Sequence, residues 1–268
     1  MKDRIIYIET STSLTSTALS EAGRIIAYKE TQVPRSQASL TAPFIDDMLK
    51  ELGLTVKDCD AVCVSKGPGS YTGLRVGSST AKGLCFGTDL PLIAIGTLDT
   101  LVAQAFADGL VPEGCRYIIP MIDARRMEVY SAVFSAAGER LTETAPVIVD
   151  GTTYASYLAE GPVLFIGDGA LKCRDILCGT SEAGDCEAGD RLRGAVPEGG
   201  SFGSPMPAPD RTKPAGANAH FAGCCPRADA MLQPAMAALK AKRFEDTAYF
   251  EPFYLKQFVA TVSAKKLF

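Results

Sequence analysis

The run GPGSYTGLRVG, residues 67–77, is the stretch in which residue type and spacing most clearly suggest binding chemistry. A short apolar strand precedes it, and the pattern predicts a helix over residues 72–87 with a serine or threonine as its N-cap. Gly73, Gly77 and Ala81 leave one stripe of this helix almost without side chains. Glycine inside a helix costs about 1 kcal/mol relative to alanine, so we expect a compensating close approach. Either a phosphate lies on the helix N-terminus or another helix packs unusually near.

The start of this helix differs from that of a P-loop. A P-loop needs Gly-Lys-Ser/Thr at the start of its helix to hold phosphates, whereas this helix opens TGLR at residues 72–75. Its lysine, Lys82, lies deep inside the helix. Arg75 is placed to meet an anion at the first turn, but a salt bridge or a solvated side chain is the commoner role of such an arginine.

Composition and charge exclude several classes of function. The 268 residues are 47% hydrophobic, which is enough for one large domain or two small ones. No signal peptide or membrane-spanning apolar stretch is visible, so we expect a cytoplasmic protein without membrane contact. A net charge of -4 argues against a chain that binds nucleic acid alone. The nine scattered cysteines suit reduced thiols, and the single histidine, His220, excludes a His-x-x-x-His centre, so we expect no metal site.

Hydrophobic periodicity divides the chain into two similar series of elements. In the first, we predict strands at residues 4–9, 14–20, 24–31, 61–64 and 92–95 and helices at 36–52, 72–87 and 98–107. In the second, we predict strands at 117–123, 128–136, near 149 and at 163–166, and helices at 152–159 and 227–241. Both series open with an apolar strand that ends in an acidic residue and continues into a hairpin. We interpret this as an internal duplication of a three-stranded meander plus crossover unit, the alternative being two unrelated α/β halves.

The duplication predicts two subdomains, at residues 1–110 and 111–268. Residues 179–216 are rich in glycine and proline and poor in large apolar side chains, so we expect a flexible surface insertion there. The aromatic tail at residues 250–256 is expected to dock as a strand or an extended arm.

A duplicated α/β unit with acidic strand ends suggests the actin-like ATPase architecture, also called ASKHA or ribonuclease H-like. In that architecture a carboxylate at the first strand end holds magnesium, and small-residue turns admit the phosphates. The corresponding candidates here are Glu9 with Thr10, Asp123, and the pair Gly167 and Gly169, which could cup an adenine ring. The turns after both acidic residues lack glycine, so backbone amides cannot easily approach a polyphosphate. We therefore predict a degenerate nucleotide cleft, and a tight strand-to-helix turn is the commoner role of the glycine pair.

Four segments resemble the TsaB (YeaZ-type) family of bacterial threonylcarbamoyladenosine biosynthesis proteins. They are IETST at residues 8–12, the glycine-rich run at 67–77, IDARRMEVY at 122–130 and EPFYL at 251–255. The resemblance covers residues 4–170 and 217–267. Family members more often carry aspartate where this chain has Glu9, which weakens a magnesium role, and the insertion at 179–216 is unlike the family.

The resemblance implies an actin-like fold that has lost catalysis and acts as the partner of a homologous subunit, TsaD. That subunit transfers a threonylcarbamoyl group to tRNA, and an ATPase, TsaE, joins the pair. tRNA would be reached only through the complex, and ATP or ADP would be bound only there, with no cofactor on this subunit alone. The catalytic relative carries His-x-x-x-His for a metal where this chain places Thr97 and Leu101, and neither side chain replaces an imidazole.

The resemblance also suggests what the two helices at 36–52 and 72–87 contact. They would pack together and form a bundle with the equivalent pair of the partner, or of a second copy in a homodimer. The predicted interface residues are Leu40, Phe44, Met48, Gly73, Val76, Gly77 and Thr80. The alternative is that this surface packs only within its own domain.

Two other functions remain open from the sequence. The first is an active actin-like ATPase or small-molecule kinase that uses Glu9 and Asp123. The second, a metallopeptidase, follows from the older glycoprotease label of the family and is disfavoured by the shortage of histidines.

Overall fold

The computed structural model describes residues 3–178 and 218–255. The insertion predicted at 179–216 lies outside these residues. Among the described residues, no helix combines the length and apolar character needed to cross a membrane.

The first half is a five-stranded sheet with helices on it. Its strands are β1 (Ile5–Glu9), β2 (Thr15–Glu21), β3 (Arg24–Thr31), β4 (Ala61–Ser65) and β5 (Leu92–Ile95). The strand order is β3-β2-β1-β4-β5, with antiparallel pairing within the meander and parallel pairing from β1 through β4 to β5. Its helices are α1 (Gln37–Glu51), α2 (Tyr71–Thr88) and α3 (Thr97–Ala107). Ser70 caps α2 by accepting a hydrogen bond from the backbone of Gly73, which confirms a serine at the predicted helix start.

The second half repeats this arrangement. Its strands are β6 (Tyr117–Asp123), β7 (Glu128–Ser131), β8 (Phe134–Ser135), β9 (Ala145–Ile148), β10 (Val163–Ile166) and β11 (Ala219–Ala222). Read from the meander edge, the order β9-β7-β6-β10-β11 matches the order of the first sheet, and β8 pairs beside it with β6. The helices are α4 (Ala155–Glu160), α5 (Ala170–Leu177) and α6 (Leu232–Lys240). The predicted duplication is confirmed.

Several predicted elements differ in detail. The strand predicted at 128–136 is interrupted and forms β7 and β8, and the helix predicted at 152–159 begins only at Ala155. A 3-10 turn, Asp229–Met231, precedes α6, so the helix predicted at 227–241 is shorter. The predicted helices and strands did not include α5 or β11. The tail docks as expected, with the Phe253 amide donating to the Lys66 carbonyl at 2.7 Å.

Two helices pack on the sheet of the other half of the chain, across the boundary predicted at residue 110. Helix α3 packs with β6 and β10 of the second sheet. Helix α6 and the preceding turn instead cover the face of the first sheet that α1 and α2 leave free, through Met231, Ala235 and Ala238. Residues 228–238, which the prediction placed in the second subdomain, therefore complete the core of the first sheet.

A polar cluster around Arg227 connects the segment before α6 to the end of α3. Its guanidinium makes two hydrogen bonds of 2.9 Å to Asp108 at the end of α3 and pairs with Asp229 at 3.1 Å. The backbone amide of Arg227 donates to Gln104, whose side chain donates to the carbonyl of Cys225. Bidentate bonds between charged groups that are partly removed from water are stronger than exposed ion pairs.

We predict that Arg227→Met lowers the free energy of unfolding by about 2 kcal/mol, because it leaves two carboxylates partly buried without their partner. Urea denaturation of the full chain measures the change. The control is Lys50→Met, which breaks the exposed Lys50–Asp46 pair within α1 and should cost less than about 0.5 kcal/mol. Equal effects of the two variants would contradict a structural role for the Arg227 cluster.

Candidate functional site

The glycine stripe of α2 faces the chain's own first sheet. A Cβ on Gly73 would lie 1.9 Å from the carbonyl oxygen of Thr10, and one on Gly77 would lie 2.4 Å from the Thr10 Oγ1. The Thr10 hydroxyl donates a 2.8 Å hydrogen bond to the carbonyl of Gly73. The close approach expected from the sequence is therefore present, but it is made by the end of β1. The assignment of Gly73 and Gly77 to a partner interface is wrong.

Met48 is also a core residue rather than an interface residue. Its side chain is buried against Ile6, Ile8 and Leu19 beneath α1. On α1, the predicted interface residues that stay partly exposed are Leu40 and Phe44.

The outer side of α2 carries the remaining candidates. Val76 and Thr80 are partly exposed, and at Gly83 and Gly87 a Cβ would meet nothing within 4 Å. These four residues recur at helical spacing, so they share one side of α2 that is turned away from its buried residues. Phe86, next to them, has 86% of its surface exposed, the largest fraction among the described large apolar residues. We call this surface, with Leu40 and Phe44 on α1, the α1–α2 face.

The residues predicted to lie at the interface did not include Gly83, Phe86 or Gly87. The sequence does place an aromatic residue between two glycines of this helix, in the run GLCFG at residues 83–87.

Glu9 is buried beneath the turn that follows β1. One carboxylate oxygen accepts a 2.7 Å hydrogen bond from the Ser11 amide, and the other has no hydrogen-bond partner. Burial raises the pKa of Glu9 to about 7, outweighing the neighbouring polar groups of Ser11 and Ser65, which lower it. A carboxyl enclosed in this way does not present its oxygens to a nucleotide at the surface.

Asp123, the second acidic strand end, is half-exposed but already paired. Its carboxylate forms an ion pair with Lys172 and accepts a 2.8 Å hydrogen bond from the Arg125 amide. Its own amide donates to the carboxylate of Asp168, and burial raises the pKa of Asp168 to about 6. The negative charge of Asp123 is thus compensated by groups within the second half of the chain.

The two glycines proposed to cup an adenine ring serve the turn between β10 and α5. A Cβ on Gly167 would lie 2.2 Å from the Met121 carbonyl, and one on Gly169 would lie 3.0 Å from a Val129 methyl. Gly167 also adopts φ +127°, which side chains rarely permit. The packing of this turn onto β6 is sufficient to require both glycines.

The positions aligned with the metal ligands of the catalytic relative lie in the interior. The Thr97 hydroxyl is 2.9 Å from that of Ser65, and Leu101 packs in the core around α3. Within residues 3–178 and 218–255, no group of three or more His, Cys, Asp or Glu side chains is arranged to hold a metal ion.

Comparison with known proteins identifies the family. A family model described as "TsaD: tRNA N6-adenosine threonylcarbamoyltransferase" matches residues 31–178, more than half of the chain. The "tRNA threonylcarbamoyladenosine biosynthesis protein TsaB" of Bacillus subtilis (strain 168) is 31% identical over 169 residues, covering 61% of this chain and 70% of that protein. The chain belongs to the TsaB (YeaZ-type) family.

Other TsaB relatives match over a shorter stretch. The Escherichia coli (strain K12) protein is 36% identical over 131 residues, which are 49% of this chain and 54% of that one. The chain therefore spans about half the length of some of the TsaB proteins that it matches. The solved structure of YeaZ from Pseudomonas aeruginosa superposes with a TM-score of 0.68 at 22% identity and covers 94% of this chain and all of that one. The predicted duplicated actin-like fold is confirmed.

We predict that the two pairs of glycines in α2 respond in opposite ways to alanine. Gly73→Ala should lower the free energy of unfolding by about 3 kcal/mol, because its Cβ meets the backbone of Thr10, which cannot move freely. Gly83→Ala, the matched control, should raise it by about 0.5–1 kcal/mol, because the new methyl group has open space and favours the helix. Urea denaturation measures both, and destabilisation of similar size in both would contradict the orientation of α2.

We predict that Glu9 makes stability depend on pH in one direction. The pKa of Glu9 is raised from 4.5 to about 7, so its protonated form favours the folded state, and this contribution is lost as pH rises through 7. Relative to Glu9→Gln, the wild-type chain should therefore lose about 2–4 kcal/mol of stability between pH 5 and pH 8.

Urea denaturation of wild type and Glu9→Gln at several pH values tests this dependence. Glu113→Gln, at an exposed position, controls for the loss of a surface charge. A constant stability difference between wild type and Glu9→Gln across this pH range would contradict the burial of Glu9.

Proposed function

We propose that this chain is a non-catalytic scaffolding subunit for tRNA N6-threonylcarbamoyladenosine modification, and that it binds a TsaD-like catalytic subunit through the α1–α2 face. The observation that carries the proposal is the outer side of α2, where Phe86 is 86% exposed beside residues that are small or lack a side chain. Phe86 adds to the partly exposed Leu40 and Phe44 of α1, and apolar residues grouped on one surface often mark a protein interface. The tRNA modification in this proposal is inferred from the names of the TsaB relatives.

The two candidate carboxylates support a role without catalysis. Glu9 is enclosed and Asp123 is paired with Lys172, so neither offers a free carboxylate for magnesium. The proposal accordingly includes no cofactor on this subunit alone, with ATP or ADP bound only in the complex. A TsaE-like ATPase and tRNA would join through that complex in the cytoplasm, and the same face would form a homodimer when the partner is absent.

The mechanism would be conformational selection in the partner. Docking on a rigid pair of helices favours one conformation of the catalytic subunit, and a few kcal/mol of differential affinity is enough to change its population by a large factor. The packing of α2 on Thr10 makes the platform rigid on its inner side.

We predict that Phe86→Glu weakens binding to the TsaD-like subunit of the same cell by about tenfold or more, because it places a charge in an apolar contact. Isothermal titration with the two purified subunits measures the affinity, and tRNA modification by the reconstituted system should fall in parallel. The melting temperature of the isolated chain should not change, since Phe86 is exposed.

Leu141→Glu is the matched control, because Leu141 is a half-exposed apolar residue of the second half. It should leave binding and modification unchanged. Unaltered affinity of Phe86→Glu would overturn the proposed interface. ATP hydrolysis or tRNA modification by the isolated chain would overturn the non-catalytic role.

A further inference from the structure

The C-terminal arm, residues 245–255, lies against the first half of the chain in a defined conformation. Hydrogen bonds fix it along its length: the Glu245 amide to the Leu92 carbonyl (2.8 Å), the Lys82 ammonium to the carbonyls of Ala248 (3.0 Å) and Phe250 (3.1 Å), and the Phe253 amide to the Lys66 carbonyl (2.7 Å). The Phe250 side chain is buried in the core between the first sheet and its helices. The side chains that the arm presents outward are therefore held in place.

Those outward side chains are mostly aromatic. Tyr249 has 84% of its surface exposed, Phe253 45% and Tyr254 36%. Together with Phe250 they line an open pocket of about 610 Å³. Three exposed aromatic residues within a six-residue stretch form a larger apolar surface than the scattered single residues that monomeric proteins normally expose.

The charged side chains that line this pocket are mostly acidic. Glu245, Asp246 and Glu251 line it and are exposed, and the only cation among the described lining residues is Lys66. Asp246 also accepts hydrogen bonds from the amides of Ala248 and Tyr249, which orients its carboxylate at the base of the turn. The negative charge and the negative faces of the aromatic rings favour a positively charged ligand and repel phosphates.

A cation already lies on the aromatic residues next to this pocket. The Arg75 guanidinium is 5.6 Å from the centre of the Tyr71 ring, and Tyr71 contacts Tyr254 with ring centres 4.8 Å apart. The arm thus extends a surface on which an arginine lies over a tyrosine ring. This arrangement is typical of cation–π recognition.

We propose that the pocket of the C-terminal arm is a docking site for an arginine- or lysine-containing segment of a partner protein. The basic side chain would lie against Tyr249 and Phe253, and its charge would face Glu245 and Glu251. The occupant is a protein segment, since the pocket is open and its acidic residues exclude nucleic acid. This surface is distinct in its residues from the α1–α2 face, and the chain alone is enough to test it.

The test uses fluorescence anisotropy with the full chain and a short labelled peptide in which glycine alternates with arginine. A second peptide carries glutamine in place of arginine. We expect the arginine peptide to bind and the glutamine peptide to bind at least about fivefold more weakly. Tyr249→Ala and the double variant Glu245→Gln/Glu251→Gln should each weaken the arginine peptide about five- to tenfold. Tyr249 is largely exposed, so its replacement should leave the melting temperature unchanged.

Two matched variants control for composition. Glu113→Gln/Glu139→Gln removes the same charge from exposed positions elsewhere, and Leu141→Ala removes an exposed apolar side chain; both should leave binding unchanged. Equal binding of the two peptides, or equal effects of pocket and control variants, would overturn the proposal. Binding that emerges only after Lys265→Ala/Lys266→Ala would assign the pocket to the chain's own lysines and overturn the partner assignment.

Discussion

The contact between α2 and the end of β1 is the constraint on which the rest of the structure depends. The Thr10 carbonyl lies where a side chain at residue 73 would be, and the Thr10 hydroxyl lies where one at residue 77 would be. The Ser70 amide also donates to the Ser11 carbonyl at 2.6 Å. These contacts hold the turn after β1 against the helix and enclose Glu9 beneath it. The close packing of the helix and the burial of Glu9 therefore depend on the same contacts.

The periodicity of the sequence was sufficient to predict the duplication and most helices and strands, because hydrophobic alternation reports which face of an element is buried. It did not reveal what the buried face contacts. The stripe at Gly73 and Gly77 correctly indicated a close approach, but a strand end of the same chain and a partner helix require the same absence of side chains. Met48 was misassigned for a related reason: an amphipathic helix does not distinguish a domain core from an interface.

Local sequence patterns could not predict that α3 and α6 pack on the sheet of the other half, since this packing depends on contacts between residues far apart in the chain. Met231 packs on strands that lie more than a hundred residues earlier, and Arg227 joins Asp108 across the same distance. An internal repeat predicts two similar units, each with its own core. Here residues 228–238 complete the first core, so a cut near residue 110 would expose apolar surface on both sides.

The two sides of helix α2 differ in how much space they leave for a side chain. On the inner side a single methyl group meets backbone, whereas on the outer side the same addition meets solvent at Gly83 and Gly87. The fold therefore does not require glycine at these two positions, and another cause must explain why they lack a side chain. Phe86 strengthens this argument, since burying an aromatic residue releases free energy that this chain alone does not gain. A partner helix that packs on small residues and covers Phe86 satisfies both observations at once.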